Sequence, residues 1–425
     1  MRTLTTLAVM AVTAASLSAQ TATSPRARRV ASDVDFLASD ALGGRKACTP
    51  GNDSAAAYVS RQFRRAGLRP AGDSGTFFER WTVGNSTASR SAGIAGCHTE
   101  NIAGMIPGAG PLAGETVILG AHFDHLGVGG FGSSMAQGPD TLRIHHGADD
   151  NASGTAALVE LARTLAADRR ALGRNHRAIL FLSWNAEEEG ALGSAFYADH
   201  PNRPLDSAIA YVNFDMVGRL RERKLLALGV RTATEWPALL DSVNARVHLD
   251  LRASGDGWGP SDQASFTAHK RPVLHFFTDL HEDHHRPSDT ADKIDADGIV
   301  EVVDFAADVV RNLATRPTML TYVDVPQPAP VMASEPGRSR PVLGTIPDMT
   351  DEPGGVRLSG VRTGSPADSA GLRAGDILVG MADDTIANLQ DFQNALMKHA
   401  GGDRVEVRYL RGGQMVRVMV TLGGR

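Results

Sequence analysis

Histidines and carboxylates crowd into three short stretches of this sequence. They are Gly120-Ala121-His122-Phe123-Asp124-His125, Gly147-Ala148-Asp149-Asp150-Asn151-Ala152-Ser153-Gly154, and Trp184-Asn185-Ala186-Glu187-Glu188-Glu189-Gly190. Imidazole and carboxylate donors without a neighbouring thiolate suit a hydrolytic metal centre built from nitrogen and oxygen ligands. His122 and Asp124 stand two apart at a predicted strand end, so their side chains share a face. One arrangement puts His122 on the metal, with Asp124 accepting its other ring proton and fixing the tautomer. Asp149-Asp150 precedes a predicted helix, where acidic residues also serve as plain caps. A carboxylate has two oxygens and can bridge two metals, the task assigned to Asp150. Three adjacent glutamates at the end of an apolar strand need compensation. A metal supplies it, with Glu188 as ligand and Glu187 as the general base that takes a proton from water; Glu189 is expected to be solvated. Further on come Asp215, closing Tyr211-Val212-Asn213-Phe214, and the histidines of His281-Glu282-Asp283-His284-His285-Arg286-Pro287-Ser288-Asp289-Thr290.

The elements that must position these groups are legible around them. Thr116–Ala121 and Ala178–Ser183 are unalternating apolar runs, the pattern of strands buried on both faces. Ile209–Phe214, Pro272–Phe277 and a shorter run from Asn101 to Ile106 complete the predicted strands. Leu158, Leu161, Ala162 and Leu165 repeat at helical spacing after Ser153, as do Val302, Phe305, Ala306, Val309 and Leu313 between Ile294 and Leu313. Helices are also predicted over Val34–Leu42, Ser54–Ala66 and Trp236–Val247, with Thr21–Arg29 read as polar and mobile. The Gly- and Ser-rich segment from Gly127 to His146 reads as an insertion beside the site that shapes the substrate mouth. Strands alternating with helices predict an α/β fold with a mostly parallel central sheet sandwiched by helices.

At 425 residues the chain exceeds one average core. Residues 1–19 carry Arg2 and an apolar run too short to span a bilayer, as in a signal peptide, and imply an exported, periplasmic or secreted protein without a transmembrane anchor. Prolines at 317, 326, 328, 330 and 336 mark residues 316–339 as a semi-rigid linker. Beyond it, alternating valines around Gly412-Gly413 predict a hairpin in a small mostly-β domain, residues 340–425, with one helix over Leu389–Ala400. The net charge of −5 removes nucleic acid as a main partner. Two cysteines, Cys48 and Cys97, allow one disulfide or two buried thiols.

The ordered set Gly-Ala-His-Phe-Asp-His, Gly-Ala-Asp-Asp-Asn-Ala-Ser-Gly, Ala-Glu-Glu-x-Gly, Asp215-Met216 and His-x-Pro-Ser-Asp-Thr resembles the M28 family of zinc aminopeptidases, clan MH, over residues 30–315. The resemblance implies the zinc-exopeptidase (phosphorylase/hydrolase-like) fold and two Zn2+ ions. His122 and Asp215 would hold one ion, Glu188 and His285 the other, and Asp150 would bridge them. Glu187 would be the catalytic base, assisted by Asp124. It also implies a cis Asp150–Asn151 peptide and substrates that are peptides with a free N-terminus. Many members have a tyrosine where His284 stands. A mono-zinc glutaminyl cyclase-like enzyme and a non-catalytic peptide-binding relative remain alternatives. Residues 340–425 resemble a PDZ domain, through Val342–Ile346 and Gly364-Ser-Pro-Ala-Asp-Ser-Ala-Gly-Leu-Arg-Ala-Gly-Asp376. That resemblance implies capture of a peptide or protein C-terminus by strand addition.

Overall fold

The computed structural model describes residues 23–129, 132–329, 339–350 and 352–424. The expected signal peptide lies outside the described residues, as do linker residues 330–338. The larger sheet is built from β1 (Arg69–Pro70), β2 (Phe78–Thr82), β3 (His98–Ile106), β4 (Thr116–His122), β7 (Ala178–Trp184), β8 (Ala208–Phe214), β9 (Lys224–Leu228), β10 (Asp250–Ser254) and β11 (Val273–Phe277). Two short strands, β5 (Gly127–Val128) and β6 (Ile144–His145), pair outside it within the insertion. Its order is β1-β3-β7-β4-β8-β11-β9-β10, with β2 on β3. The central four, β7, β4, β8 and β11, are parallel neighbours. The flanking joints β3–β7 and β11–β9 are antiparallel, so the sheet is parallel at its heart and mixed overall.

Every residue of β4, β7, β8 and β11 is buried. The two-residue period of the strand divides them between two cores. Val117, Leu119, Ile179, Phe181, Val212 and Phe214 face one layer with helices Pro25–Leu37, Gly154–Ala167 and Ala296–Thr315. Ile118, Leu180, Leu182, Trp184 and Tyr211 face the other, against Tyr197 and Phe266. Parallel strands present all their carboxyl ends at one edge, which is where the polar clusters emerge.

Three expectations are corrected. Described residues of the segment read as mobile open a helix, Pro25–Leu37, whose cap Ser24 accepts the Ala27 N–H. Arg26 and Arg29 hid it: both reach across to the buried Glu160, at 3.0 and 2.8 Å, and so act as anchors rather than solvated charge. The expected helix over Val34–Leu42 is the end of this element plus a turn at Asp40–Leu42. The linker's first part is packed: Leu320 is buried, Tyr322 bridges Ala233, and Trp258 Nε1 donates to the Val325 carbonyl. Strands β2, β9 and β10, each five residues long, have no counterpart in the sequence reading; β2 and β10 interleave charged residues with their apolar ones. Cys48 and Cys97 are disulfide-bonded.

The second sheet has the order β13 (Thr345–Pro347), β14 (Val356–Val361), β15 (Ile377–Met381), β17 (Arg404–Arg411), β18 (Gln414–Thr421), with β16 (Asp384–Thr385) on β15. Helix Leu389–Met397 places Phe392 on its core of Leu358, Leu378 and Val407. Gly412 and Gly413 turn the β17–β18 hairpin with φ of 57° and 79°, the left-handed region glycine adopts freely. The small domain rests on the larger one through Lys224, which bonds Asp279 at 2.9 Å and Asp348 at 3.0 Å. Ser359 Oγ also donates to Asp279.

Candidate metal centre

Four loops leave the carboxyl ends of the central strands and bring every expected site residue together. His122, on β4, points Nε2 to within 3.4 Å of both Asp150 Oδ1 and Asp215 Oδ1. Asp150 turns its other oxygen away, to 3.0 Å from His285 Nε2, which lies 3.3 Å from Glu188 Oε2. Asp150 thus sits between two donor groups, one oxygen toward each. His125 Nδ1 bonds Glu188 Oε1 at 2.7 Å, and His284 stacks on His285 with its Nε2 3.7 Å from Asp150. Glu187 belongs to neither group; its carboxylate stands 4.0 Å from His122 Nε2 and keeps 13% exposure.

Asp149 and Asp150 are told apart by their partners. Asp149 accepts the Gly218 N–H and meets His281 Nε2 at 3.1 Å, so both of its oxygens are engaged in structure. Asn151 locks the turn by accepting the Gly154 and Met216 N–H groups and donating to the Phe214 carbonyl. The Asp150–Asn151 peptide is cis. Gly147 precedes this loop at φ 57°, where a Cβ would lie 2.4 Å from the His125 ring and closer still to the Asp150 carbonyl oxygen. Only glycine fits there.

The donors suit a cation. Both His122 ring nitrogens and Asp215 Oδ1 are buried with no hydrogen-bond partner, a costly state that a bound metal would relieve. His285 Nδ1 donates to the Ser133 carbonyl, which leaves Nε2 as the free lone pair facing Asp150 and Glu188. Burial would lower the proton affinity of His122, but Asp215 and Glu187, with Asp124 and Asp150, outweigh it and hold it well above the ordinary histidine value. Burial, joined by repulsion from Asp262, Glu188 and Asp215, pushes the Glu187 carboxyl well up, against the pull of His122. Burial and the neighbouring Asp150 push Glu188 up to about 8, despite His285. So many carboxylates in one buried site would be compensated by a bound metal cation.

Residues 101–310 match the family model for peptidase family M28, and residues 341–422 match the PDZ domain. The chain carries an M28 peptidase domain followed by a PDZ domain. Its relatives include the uncharacterized protein YfbL of Escherichia coli, 27% identical over 54% of this chain and 76% of that one. Probable leucine aminopeptidase 1 of Trichophyton verrucosum is 28% identical over 51% of this chain and 58% of its own. The chain spans only 17% of leucine aminopeptidase 2 of Trichophyton equinum, at 36% identity. Among solved structures, a Zn-dependent exopeptidase from Parabacteroides distasonis shares the fold with TM-score 0.55 and 19% identity, over 69% of this chain and 100% of that one. A glutaminyl cyclase from Porphyromonas gingivalis does so with TM-score 0.53 and 18% identity, over 67% and 97%.

Several residues that shape the site of the M28 domain were given no role by the sequence reading. Arg45 is fully buried and donates to the carbonyls of Leu37, Phe123, His146 and Gly147, tying the His122 strand end to the Asp150 loop. Asp289, in the last motif, accepts the N–H groups of Asp149 and Asp150 and is held by Arg219. Ser261 donates to Asp215 Oδ2, and the adjacent Asp262 is fully buried beside the cluster with neither oxygen hydrogen-bonded. Burial raises the Asp262 carboxyl to about 7, against the pull of His122. Asp124 departs from its expected partner. It lies 3.7 Å from His122 Nδ1, beyond a hydrogen bond, and its direct bonds accept the Glu187 and Glu188 N–H groups. Glu189 is not solvated as expected: Oε2 is buried, and burial, joined by repulsion from Asp124 and Glu188, raises its carboxyl to about 8.

Proposed function

We propose that this protein is an exported di-zinc aminopeptidase that removes N-terminal residues from peptides. The observation that carries the reading is Asp150, whose two oxygens face two separate donor groups. His122 and Asp215 would hold one zinc and Glu188 and His285 the other, with Asp150 between them. Zinc bound there supplies Lewis acidity, polarising a peptide carbonyl and lowering the proton affinity of water. The chain's own groups do the rest. Glu187, outside both donor groups and open to the substrate side, takes the proton of the attacking water and hands it to the leaving amine. Asp124 holds the Glu187–Glu188 backbone in register, so base and ligand move as one unit. His284 occupies the rim, partly exposed and stacked on the His285 ring. The acidic lining favours a substrate arriving with a free ammonium group. The PDZ domain binds peptide or protein C-termini, in keeping with its bacterial-type sequence. Export rests on the N-terminal apolar run; no helix among the described residues is long and apolar enough to cross a membrane.

The test is Glu187→Gln, assayed on aminoacyl nitroanilides and on free and N-blocked peptides, alongside metal analysis. Two zinc ions per chain should remain, with turnover reduced by about 10²–10⁴-fold. Undiminished turnover by a zinc-loaded variant refutes the assignment of the base. The likeness to a solved glutaminyl cyclase favours a second reading, a mono-zinc cyclase. One zinc per chain together with cyclisation of an N-terminal glutamine would establish it instead.

A further inference from the structure

His284 stands beside the second donor group without belonging to the expected ligand set. Its Nε2 lies 3.7 Å from Asp150 Oδ2, the same oxygen that His285 Nε2 faces at 3.0 Å. Asp150, His284 and His285 bring donor atoms within 4.8 Å of one another. No hydrogen bond to a described residue fixes the His284 ring. Its proton is therefore free to sit on Nδ1 and leave Nε2 as a lone pair.

The backbone turns the ring there. Along an extended chain, neighbouring side chains point to opposite sides. His285 instead takes a φ of 56°, a left-handed conformation that is unfavourable for any residue with a Cβ. With that turn the two imidazoles stack, their centroids 3.8 Å apart and their planes 27° from parallel. Two hydrogen bonds hold it, from the Met135 N–H to the His285 carbonyl at 2.8 Å and from His285 Nδ1 to the Ser133 carbonyl at 3.1 Å. The spacing suits a shared ion. Two donors on one tetrahedral zinc, with bonds of about 2.0–2.2 Å, stand about 3.4 Å apart. Around the second position the separations are 3.0 Å from Asp150 to His285, 3.3 Å from Glu188 to His285 and 3.7 Å from Asp150 to His284. Glu188 commits its other oxygen to His125 at 2.7 Å, which leaves one for an ion.

We propose that His284 is a fourth protein donor to the second metal position, beside Asp150, Glu188 and His285. The proposal rests on the di-zinc reading above and deepens it, because it makes the two positions unequal. The first offers one imidazole, from His122, with the carboxylates of Asp150 and Asp215. The second offers two imidazoles with the carboxylates of Asp150 and Glu188. Imidazole nitrogen favours zinc and its transition-metal neighbours, whereas oxygen donors also accept magnesium, calcium and manganese. The second position therefore fills first and keeps its zinc, and the first position holds the exchangeable ion.

The experiment titrates the metal-free, full-length protein with Zn2+ against a competing chelator. X-ray absorption at the zinc edge then counts the imidazoles bound at one zinc per chain. The wild type should show two. His284→Phe keeps a flat ring on His285 but removes the donor. It should show one imidazole and weaken the tighter zinc by at least about 10–100-fold, the loss already seen when only an outer partner of a ligand is removed. His284→Glu returns an oxygen donor, so it should recover affinity while the count stays at one. The side chain of His284 is 24% exposed, and neither change disturbs the core. One imidazole in the wild type, or an unchanged tight affinity in His284→Phe, overturns the proposal. A weaker affinity with the imidazole count still at two would reduce His284 to packing on His285 and overturns it too. So does a change in KM with zinc binding intact, which would make the ring a substrate contact. These readouts need no turnover. Zinc binding that depends on His284 in a protein that cleaves no peptide refutes the aminopeptidase reading and leaves this site standing; cleavage of N-terminal residues with His284 silent in zinc binding does the reverse.

Discussion

Replacing Glu79 by glutamine should stabilise the peptidase domain far more in alkaline than in acidic solution. Glu79 lies on β2 with 4% exposure and accepts one bond, from Asn101 Nδ2 at 2.8 Å. Burial, only partly offset by that bond, raises its carboxyl from the ordinary 4.5 to about 7. A carboxyl raised in the folded state binds its proton more tightly folded than unfolded. Its contribution is therefore unpenalised below pH 4.5 and is lost as pH climbs through 7. The separation of the two values corresponds to about 3 kcal/mol above pH 8, and to about 1 kcal/mol at pH 5. Glutamine imitates the protonated form and can still accept from Asn101. The bond matters beyond β2: Asn101 also donates to the Gly193 carbonyl and accepts the Asn185 N–H, and Asn185 precedes the Ala186–Glu187 turn. Urea unfolding followed at pH 5 and pH 8.5 measures the effect. The variant should gain about 3 kcal/mol at the higher pH and about 1 kcal/mol at the lower. Equal gains at both, or a loss at pH 8.5, would refute the claim that burial leaves this carboxyl poorly compensated.

Two other perturbations test the frame around the site. Arg45→Met should cost at least about 4 kcal/mol, because four main-chain carbonyls lose their donor and most are buried; it should also weaken zinc retention, read by metal analysis after dialysis, and wild-type retention would show that Arg45 does not hold the Asp150 loop. Cys48→Ser with Cys97→Ser opens a loop closed across a separation of 49 residues, so chemical denaturation should record a loss of about 2–4 kcal/mol, absent if the bond constrains little in the unfolded chain.

Much of the scaffold was legible because it obeys local rules. Strands β4, β7, β8 and β11 are apolar throughout, and a strand apolar on both faces has only the centre of a covered sheet to occupy. Helix Trp236–Val247 was read to the residue, and Ala296–Thr315 within two residues. Pro25–Leu37 was misread because its arginines look like solvent-facing charge until Glu160, far along the chain, is placed beside them.

The sequence alone determined which chemistry was available and where on the sheet it would stand: carboxylates and histidines following buried parallel strands must gather at one edge, whatever the details of the loops. Only the tertiary structure decided which oxygen faces which neighbour. Asp149 and Asp150 are chemically identical and adjacent, and they part company because Gly218 and His281 engage one while His122 and His285 meet the other. The same holds for Asp124, drawn to the Glu187 and Glu188 backbone, and for His284, stacked on His285. Side-chain direction in irregular loops is set by partners scores of residues away, and local pattern carries no record of them.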